Sequence, residues 1–136
     1  MNARERSLSR SEEAIIRHHM EALMAREQEI SGVLVSTIDG FRVAACLTGT
    51  LSAEKLSAMA SSLLAINEAV CQESSVGECR DLVIEASQGR ILLMDIPHPA
   101  QKLILTVLCR AKVTMGQVLW AARGCRESLG KMFVAS

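Results

Sequence analysis

The sequence predicts an α/β (α+β) domain in which helices cover both faces of a mostly antiparallel five-stranded sheet. Two turn signals, Asp39-Gly40 and Gln88-Gly89, each separate a pair of strand patterns, as in a β-hairpin. A fifth strand pattern is apolar on both faces, which indicates a strand that is covered on both sides. Helical patterns precede, separate and follow these strands, so one layered domain over residues 11–132 accommodates them all.

Local signals mark where several of the predicted elements begin and end. Ser9-x-x-Glu12 is a capping-box signature before the first helix, and Thr114-x-x-Gln117 is another before the last helix. Gly130 is predicted to end the last helix, because glycine readily adopts the conformation of a helix terminus. After a flexible tail over residues 1–10, the predicted elements are a helix over 11–30, strands over 33–38 and 41–47, a helix over 52–73, strands over 81–87, 90–96 and 102–108, and a helix over 114–131.

The long helix contains a window, residues 56–67, without any charged side chain. The window spans more than three turns, so every side of the helix passes through it. A helix that faces water carries charge on its outer side. The residues predicted on the outer side here are small and uncharged: Ser57, Ala58, Ser61, Ser62 and Ala65. We therefore expect two copies of the chain to associate through this helix, with strand 81–87 as a second candidate contact. A helix buried within its own domain is the alternative.

Composition and charge disfavour several classes of function. The formal net charge is zero, which makes nucleic acid a poor partner. No apolar run is long enough to span a bilayer, so no membrane insertion is expected. The five cysteines are odd in number and include no C-x-x-C pair, which indicates free thiols and a cytoplasmic protein. Acidic side chains dominate residues 54–95 and basic ones residues 110–131, consistent with two solvated faces or with electrostatic steering of a partner.

The ionisable side chains form no recognisable catalytic, cofactor-binding or metal-binding pattern. His18 and His19 are adjacent on a helix and point in different directions, and His98 lies between two prolines. Glu85 and Asp95 are placed to approach each other across the second hairpin, or else to face outward separately. The cysteines lack the spacing of metal ligands. We expect no catalytic residue, no cofactor and no metal, and a cysteine-dependent enzyme is a minor alternative.

Five segments, taken in order, are similar to one known family. GVLVSTIDGFRVAA (32–45) resembles a first hairpin, and LSAMASSL (56–63) the long helix that follows it. GRILLM (89–94) and LILTVL (103–108) resemble the later strands, and VTMGQVL (113–119) the start of the last helix, although Thr-Met stands where Asn-Leu is more usual. The family is the roadblock family, which includes roadblock-type dynein light chains and the MglB-like regulators of Ras-like GTPases.

The resemblance implies a roadblock/profilin-like fold, with the sheet between one long helix and a pair of terminal helices. It also implies a homodimer with long helices side by side, acting as a non-catalytic module that regulates or scaffolds a Ras-like small GTPase. The residues expected at the dimer or partner surface are Ser57, Ala58, Ser61, Ser62, Ala65, Asn67 and Glu68. The alternative is a dimerising adaptor subunit of a signalling or motor assembly without a GTPase link.

Overall fold

A computed structural model describes residues 8–135 of the chain, with side chains up to residue 133. The elements follow the predicted order of helix, two strands, helix, three strands and helix. Their bounds are α1 Arg10–Arg26, β1 Ile30–Thr37, β2 Arg42–Cys46, α2 Ala53–Glu73, β3 Asp81–Ala86, β4 Gly89–Ile96, β5 Leu103–Arg110 and α3 Met115–Ala135.

The five strands form one antiparallel sheet in the order β2-β1-β5-β4-β3. β5 is the central strand and β1 lies next to it, and both are buried along most of their length. For β5, the pattern that is apolar on both faces predicted this. Helix α2 lies on one face of the sheet, and α1 and α3 pack together on the other. The predicted fold class is therefore confirmed, including the division into one helix and a helix pair.

The larger core lies between the sheet and the helix pair. The apolar stripe of α1 is buried there as predicted, through Ile16, Met20 and Leu23. These side chains meet a stripe from α3 that ends in Leu129 and Phe133, both fully or almost fully buried. A core residue of this size contributes about 1.5–3 kcal/mol when it is buried. The helix pair is thus the firmly packed layer of the fold.

The N-terminal end of α1 agrees with its sequence signal. The Ser9 side chain accepts a hydrogen bond from the Glu12 amide, and the Glu12 side chain accepts one from the Ser9 amide, which confirms the capping box. Leu8 packs against the larger core. The remainder of the predicted flexible tail, residues 1–7, lies outside the described residues.

Two predicted helix ends are wrong. The first helix ends at Arg26, and Ile30 begins β1 instead of continuing the helical stripe. Gly130 does not end α3, which continues to Ala135. Gly130 is buried, and a Cβ at this position would lie 3.7 Å from the Pro97 ring. Because Phe133, one turn later, fills the core, tertiary packing continues the helix past a residue that tends to stop it.

Candidate interaction surface

Helix α2 packs on the sheet through three small side chains and one leucine. The buried residues on its inner side are Ala53, Ser57, Ala60 and Leu64. Small side chains let the helix backbone lie low, and Gly40 in the β1–β2 turn extends this close approach. Gly40 has a φ of +97°, and a Cβ there would lie 3.4 Å from the Ala58 Cα. The inner side of α2 therefore includes Ser57, which was predicted to face outward.

Two of the serines expected on the outer side of α2 point elsewhere. Ser57 is completely buried against the sheet, so its predicted outward orientation is wrong. Ser61 is half-buried, and its hydroxyl donates a hydrogen bond of 2.6 Å to the Ile38 carbonyl, which fastens α2 to the β1–β2 turn. Ala58, Ser62 and Ala65 are exposed, as expected. A partner contact through these residues remains a prediction.

The outer side of α2 carries large apolar side chains, which sequence reasoning missed. Met59, Leu63, Ile66 and Val70 are exposed by 58%, 38%, 62% and 55%. They recur at intervals of three or four residues and form one stripe, called here the α2 apolar patch. The signal was present in the sequence, because two apolar stripes run along this helix. The larger residues form the outer stripe, which is unusual for a helix that faces only water.

Asn67 and Glu68, both expected at a partner surface, bind a loop of their own chain. The Asn67 side-chain amide donates to Cys79 Sγ at 2.6 Å, and the Cys79 backbone amide donates to Glu68 Oε2 at 3.4 Å. Both side chains are half-buried by these contacts. Their position in the structure indicates that they hold the segment that leads into β3.

The sheet beside α2 is also incompletely covered. α2 packs mainly over β1, β2 and β5. On the same face, Leu82, Ile84 and Ile91 of β3 and β4 border the smaller core but stay partly exposed. Among the described residues, β3 is hydrogen-bonded on one side only, because it is the last strand of the sheet. An apolar face next to an open strand edge is a surface to which another strand can add.

On the face of the sheet opposite α2, ion pairs with α3 hold the start of β3. The Asp81 carboxylate, whose side chain is only 11% exposed, accepts hydrogen bonds from Arg123 at 2.7 and 3.1 Å and from Arg126 at 3.4 Å. Both arginines belong to α3. The carboxylate therefore fastens the edge strand to the helix pair at the strand's first residue.

The histidines occupy structural positions. His98 Nδ1 accepts a hydrogen bond from the Ala100 amide at 3.0 Å, so Nε2 carries a proton and donates it to Glu12 Oε2 at 3.0 Å. Burial raises the pKa of Glu12, but hydrogen bonds from Ser9 and His98 outweigh it and leave the pKa below its ordinary value. This network joins the β4–β5 turn to the start of α1. No group of three or more potential metal ligands occurs among residues 8–135.

The acidic pair proposed for the second hairpin does not form. Glu85 pairs with Arg90 at 3.9 Å, and Asp95 lies 4.0 Å from Lys102. Their strand positions place the two carboxylates on opposite faces of the sheet, near opposite ends of the hairpin. Within the described part of the chain, no helix is both long enough and apolar enough to cross a membrane.

This fold, with its open strand edge and its apolar outer helix, defines a protein-interaction domain of the roadblock class. The Roadblock/LC7 domain family matches residues 19–108, so the chain belongs to this family. Two uncharacterized proteins of Methanocaldococcus jannaschii, MJ1340 and MJ0310, are 32% and 31% identical to it over 108 residues. These matches cover 79% of this chain and 91% of each relative.

Solved structures of two bacterial proteins share the fold. Myxococcus xanthus MglB superposes with a TM-score of 0.82 at 12% identity, covering 94% of both chains. A Roadblock/LC7 domain from Streptomyces avermitilis gives a TM-score of 0.76 at 16% identity, covering 88% of this chain and 97% of that one. The roadblock resemblance noted in the sequence is therefore confirmed.

Proposed function

We propose that this protein is a homodimeric, non-catalytic binding module that regulates or scaffolds a Ras-like small GTPase. The observation that carries the dimer is the α2 apolar patch. It lies on the same face of the sheet as the partly exposed β3 and β4 side chains and the open edge of β3. Soluble monomers rarely leave large contiguous apolar surface in water.

A second copy related by a two-fold axis would cover the α2 apolar patch, the partly exposed side chains of β3 and β4, and the open edge of β3. Antiparallel pairing of two β3 strands would join the sheets into one and satisfy both open edges. The same axis would place each α2 beside its copy, above the exposed side chains Leu82, Ile84 and Ile91. Ala58, Ser62 and Ala65 are small and exposed on α2, so they allow the two helix backbones to approach.

The GTPase link rests on the likeness to MglB-type regulators of such GTPases. None of the described side chains forms an arrangement of nucleophile, base and oxyanion donor, so the proposed role is binding rather than chemistry. A regulator without catalytic groups acts by binding one switch conformation of the GTPase better than the other. The surface of the paired α2 helices that faces away from the two sheets is the proposed contact.

The proposed dimer is tested with two single substitutions, each of which places a glutamate on the outer side of a helix, one on either face of the sheet. Ile66→Glu places a carboxylate in the α2 apolar patch and should give a monomer in light scattering, because a buried unpaired charge costs several kcal/mol. Trp120→Glu is the matched control, since Trp120 is 66% exposed on α3 and lies on the other face. A wild-type protein that is itself monomeric, or an Ile66→Glu protein that remains dimeric, would contradict this interface.

The GTPase link is tested separately. The wild-type protein is mixed with each Ras-like small GTPase of the same organism, loaded with GDP or with a non-hydrolysable GTP analogue. Binding at micromolar concentration to one nucleotide state supports the proposal, and the Ile66→Glu variant reports whether binding requires the dimer. No binding in either state would remove the GTPase link.

The second candidate function, a dimerising adaptor without a GTPase, is favoured by the same apolar patch. The discriminating result is the identity of proteins captured by the intact dimer but not by Ile66→Glu. A kinase or receptor subunit would favour the adaptor.

A further inference from the structure

The chain reverses sharply after α2. Ser74 ends the helix, the Val76 amide donates to the Cys71 carbonyl, and the Ser75 amide donates to the Gln72 carbonyl. These two bonds define a Schellman motif, with Ser75 in the left-handed conformation at a φ of +56°. Gly77, with a φ of +96°, turns the chain again. The loop over residues 74–80 is thereby folded back along the last turns of α2.

The reversal brings the half-buried Cys79 to the side of α2 that carries the half-buried Cys71. Cys79 Sγ is 2.6 Å from the Asn67 side-chain nitrogen. Cys71 lies four residues after Asn67, on the same side of the helix, where neighbouring Cβ atoms are about 5–6 Å apart. Cys71 and Cys79 also line the same surface cavity, of about 430 Å³. The two cysteines therefore lie in one small region of the surface. The contact of Cys79 with Asn67, the helical spacing of Asn67 and Cys71, and the shared cavity all indicate this.

We propose that Cys71 and Cys79 form an oxidative modification site, at which a peroxide converts the two thiols into a reversible intrachain disulfide. One thiolate attacks a peroxide oxygen, the O–O bond breaks, and a sulfenic acid forms as water leaves. The second thiol attacks that sulfur and releases a second water. Two thiols and one hydrogen peroxide therefore give one disulfide and two waters. The bond would fasten the loop that enters β3 to the end of α2.

The other cysteines are poorer sites for the same reaction. Cys109 is buried on β5, within the larger core. Cys125 belongs to α3 and packs against the same core, on the face of the sheet opposite α2. Cys46 is half-buried on β2, at the opposite edge of the sheet from the loop. Geometry therefore singles out the Cys71–Cys79 pair.

The pair has its own pH dependence. Burial, and then the neighbouring Cys71, raise the pKa of the Cys79 thiol. Because the thiolate is the reactive form, oxidation should accelerate as the pH rises from about 7 to about 9. Because the pKa of Cys79 lies above its ordinary value, this rise in rate should extend to higher pH than for an unperturbed exposed thiol.

The test is peroxide treatment of the full chain, followed by intact-mass measurement without reductant and peptide mapping. We expect the intact mass to fall by two hydrogen atoms and a cross-linked peptide to contain residues 71 and 79. Dithiothreitol should reverse both changes. Cys71→Ser and Cys79→Ser should each abolish the cross-link and stop at a sulfenic acid, whereas Cys46→Ser should leave it intact. Circular dichroism confirms that each variant is folded.

The proposal is independent of the dimer, and the Ile66→Glu variant should form the same cross-link. Any of three outcomes would overturn it. These are a cross-link between other cysteines, disulfides that are only intermolecular, and alkylation of both Cys71 and Cys79 after peroxide treatment.

Discussion

Truncation of Ile66 gives the most quantitative test of the proposed interface. Complete burial of an isoleucine side chain contributes about 1.5–3 kcal/mol. Ile66 is 62% exposed in the single chain, so a partner can bury at most that share, about 1–2 kcal/mol per protomer. A two-fold dimer contains the contact twice, so Ile66→Ala should weaken association by about 2–4 kcal/mol, or about 30- to 1000-fold in the dissociation constant.

The assay is sedimentation equilibrium over a wide concentration range. Met132→Ala is the control, because Met132 is an exposed apolar side chain on α3, on the other face of the sheet. Its dissociation constant should stay within about threefold of the wild type, since surface truncations away from a contact change little. The reasoning is refuted if Ile66→Ala dissociates no more readily than Met132→Ala.

Three further predictions concern the Asp81 ion pair, the end of α2 and the start of α1. Asp81→Ala should lower the free energy of unfolding in urea by about 1–2 kcal/mol, because it leaves two arginines of α3 unpaired, one of them half-exposed. Glu85→Ala on the same strand should cost less than about 0.5 kcal/mol, and equal losses would count against the Asp81 anchor. Ser75→Gly should raise the free energy of unfolding by about 0.5–1 kcal/mol, because glycine tolerates a positive φ, whereas Ser74→Gly, at a φ of −86°, should lower it. The pKa of Glu12 lies below its ordinary value of 4.5, so the wild type should lose stability relative to Glu12→Gln as the pH falls from about 5 to about 3. Parallel stability curves for these two proteins would exclude that contribution.

Most of the fold could be predicted from the sequence because its signals are local. The Asp39-Gly40 turn and the doubly apolar β5 pattern specify strands and their neighbours without reference to the rest of the chain. The end of α3 could not be predicted, because Gly130 is a local stop signal and only the core around Phe133 overrides it. Local preference is worth about 1 kcal/mol at a glycine, less than the burial of a large aromatic side chain.

For α2 as well, the sequence predicted one property and tertiary packing decided another. The uncharged window predicted that the helix has something other than water on each side, and the structure agrees that both sides are apolar or small. The sequence could not assign the two sides, since Ser57 and Ala58 are neighbours with similar side chains and opposite surroundings. Packing on the sheet decides this, because Ser57, Ala60 and Leu64 lie against the strands while Ala58 stays exposed.

By itself, the sequence determined the order of the elements, the antiparallel sheet, the layers on both faces and the family. The tertiary structure decided which stripe of α2 faces outward, that Asn67 and Glu68 hold a loop, and that Cys71 and Cys79 line one surface cavity. The reason is that hydrogen-bonding periodicity and turn chemistry act over a few residues. The orientation of a helix and the meeting of two loops depend instead on steric fit between segments that are distant in the chain.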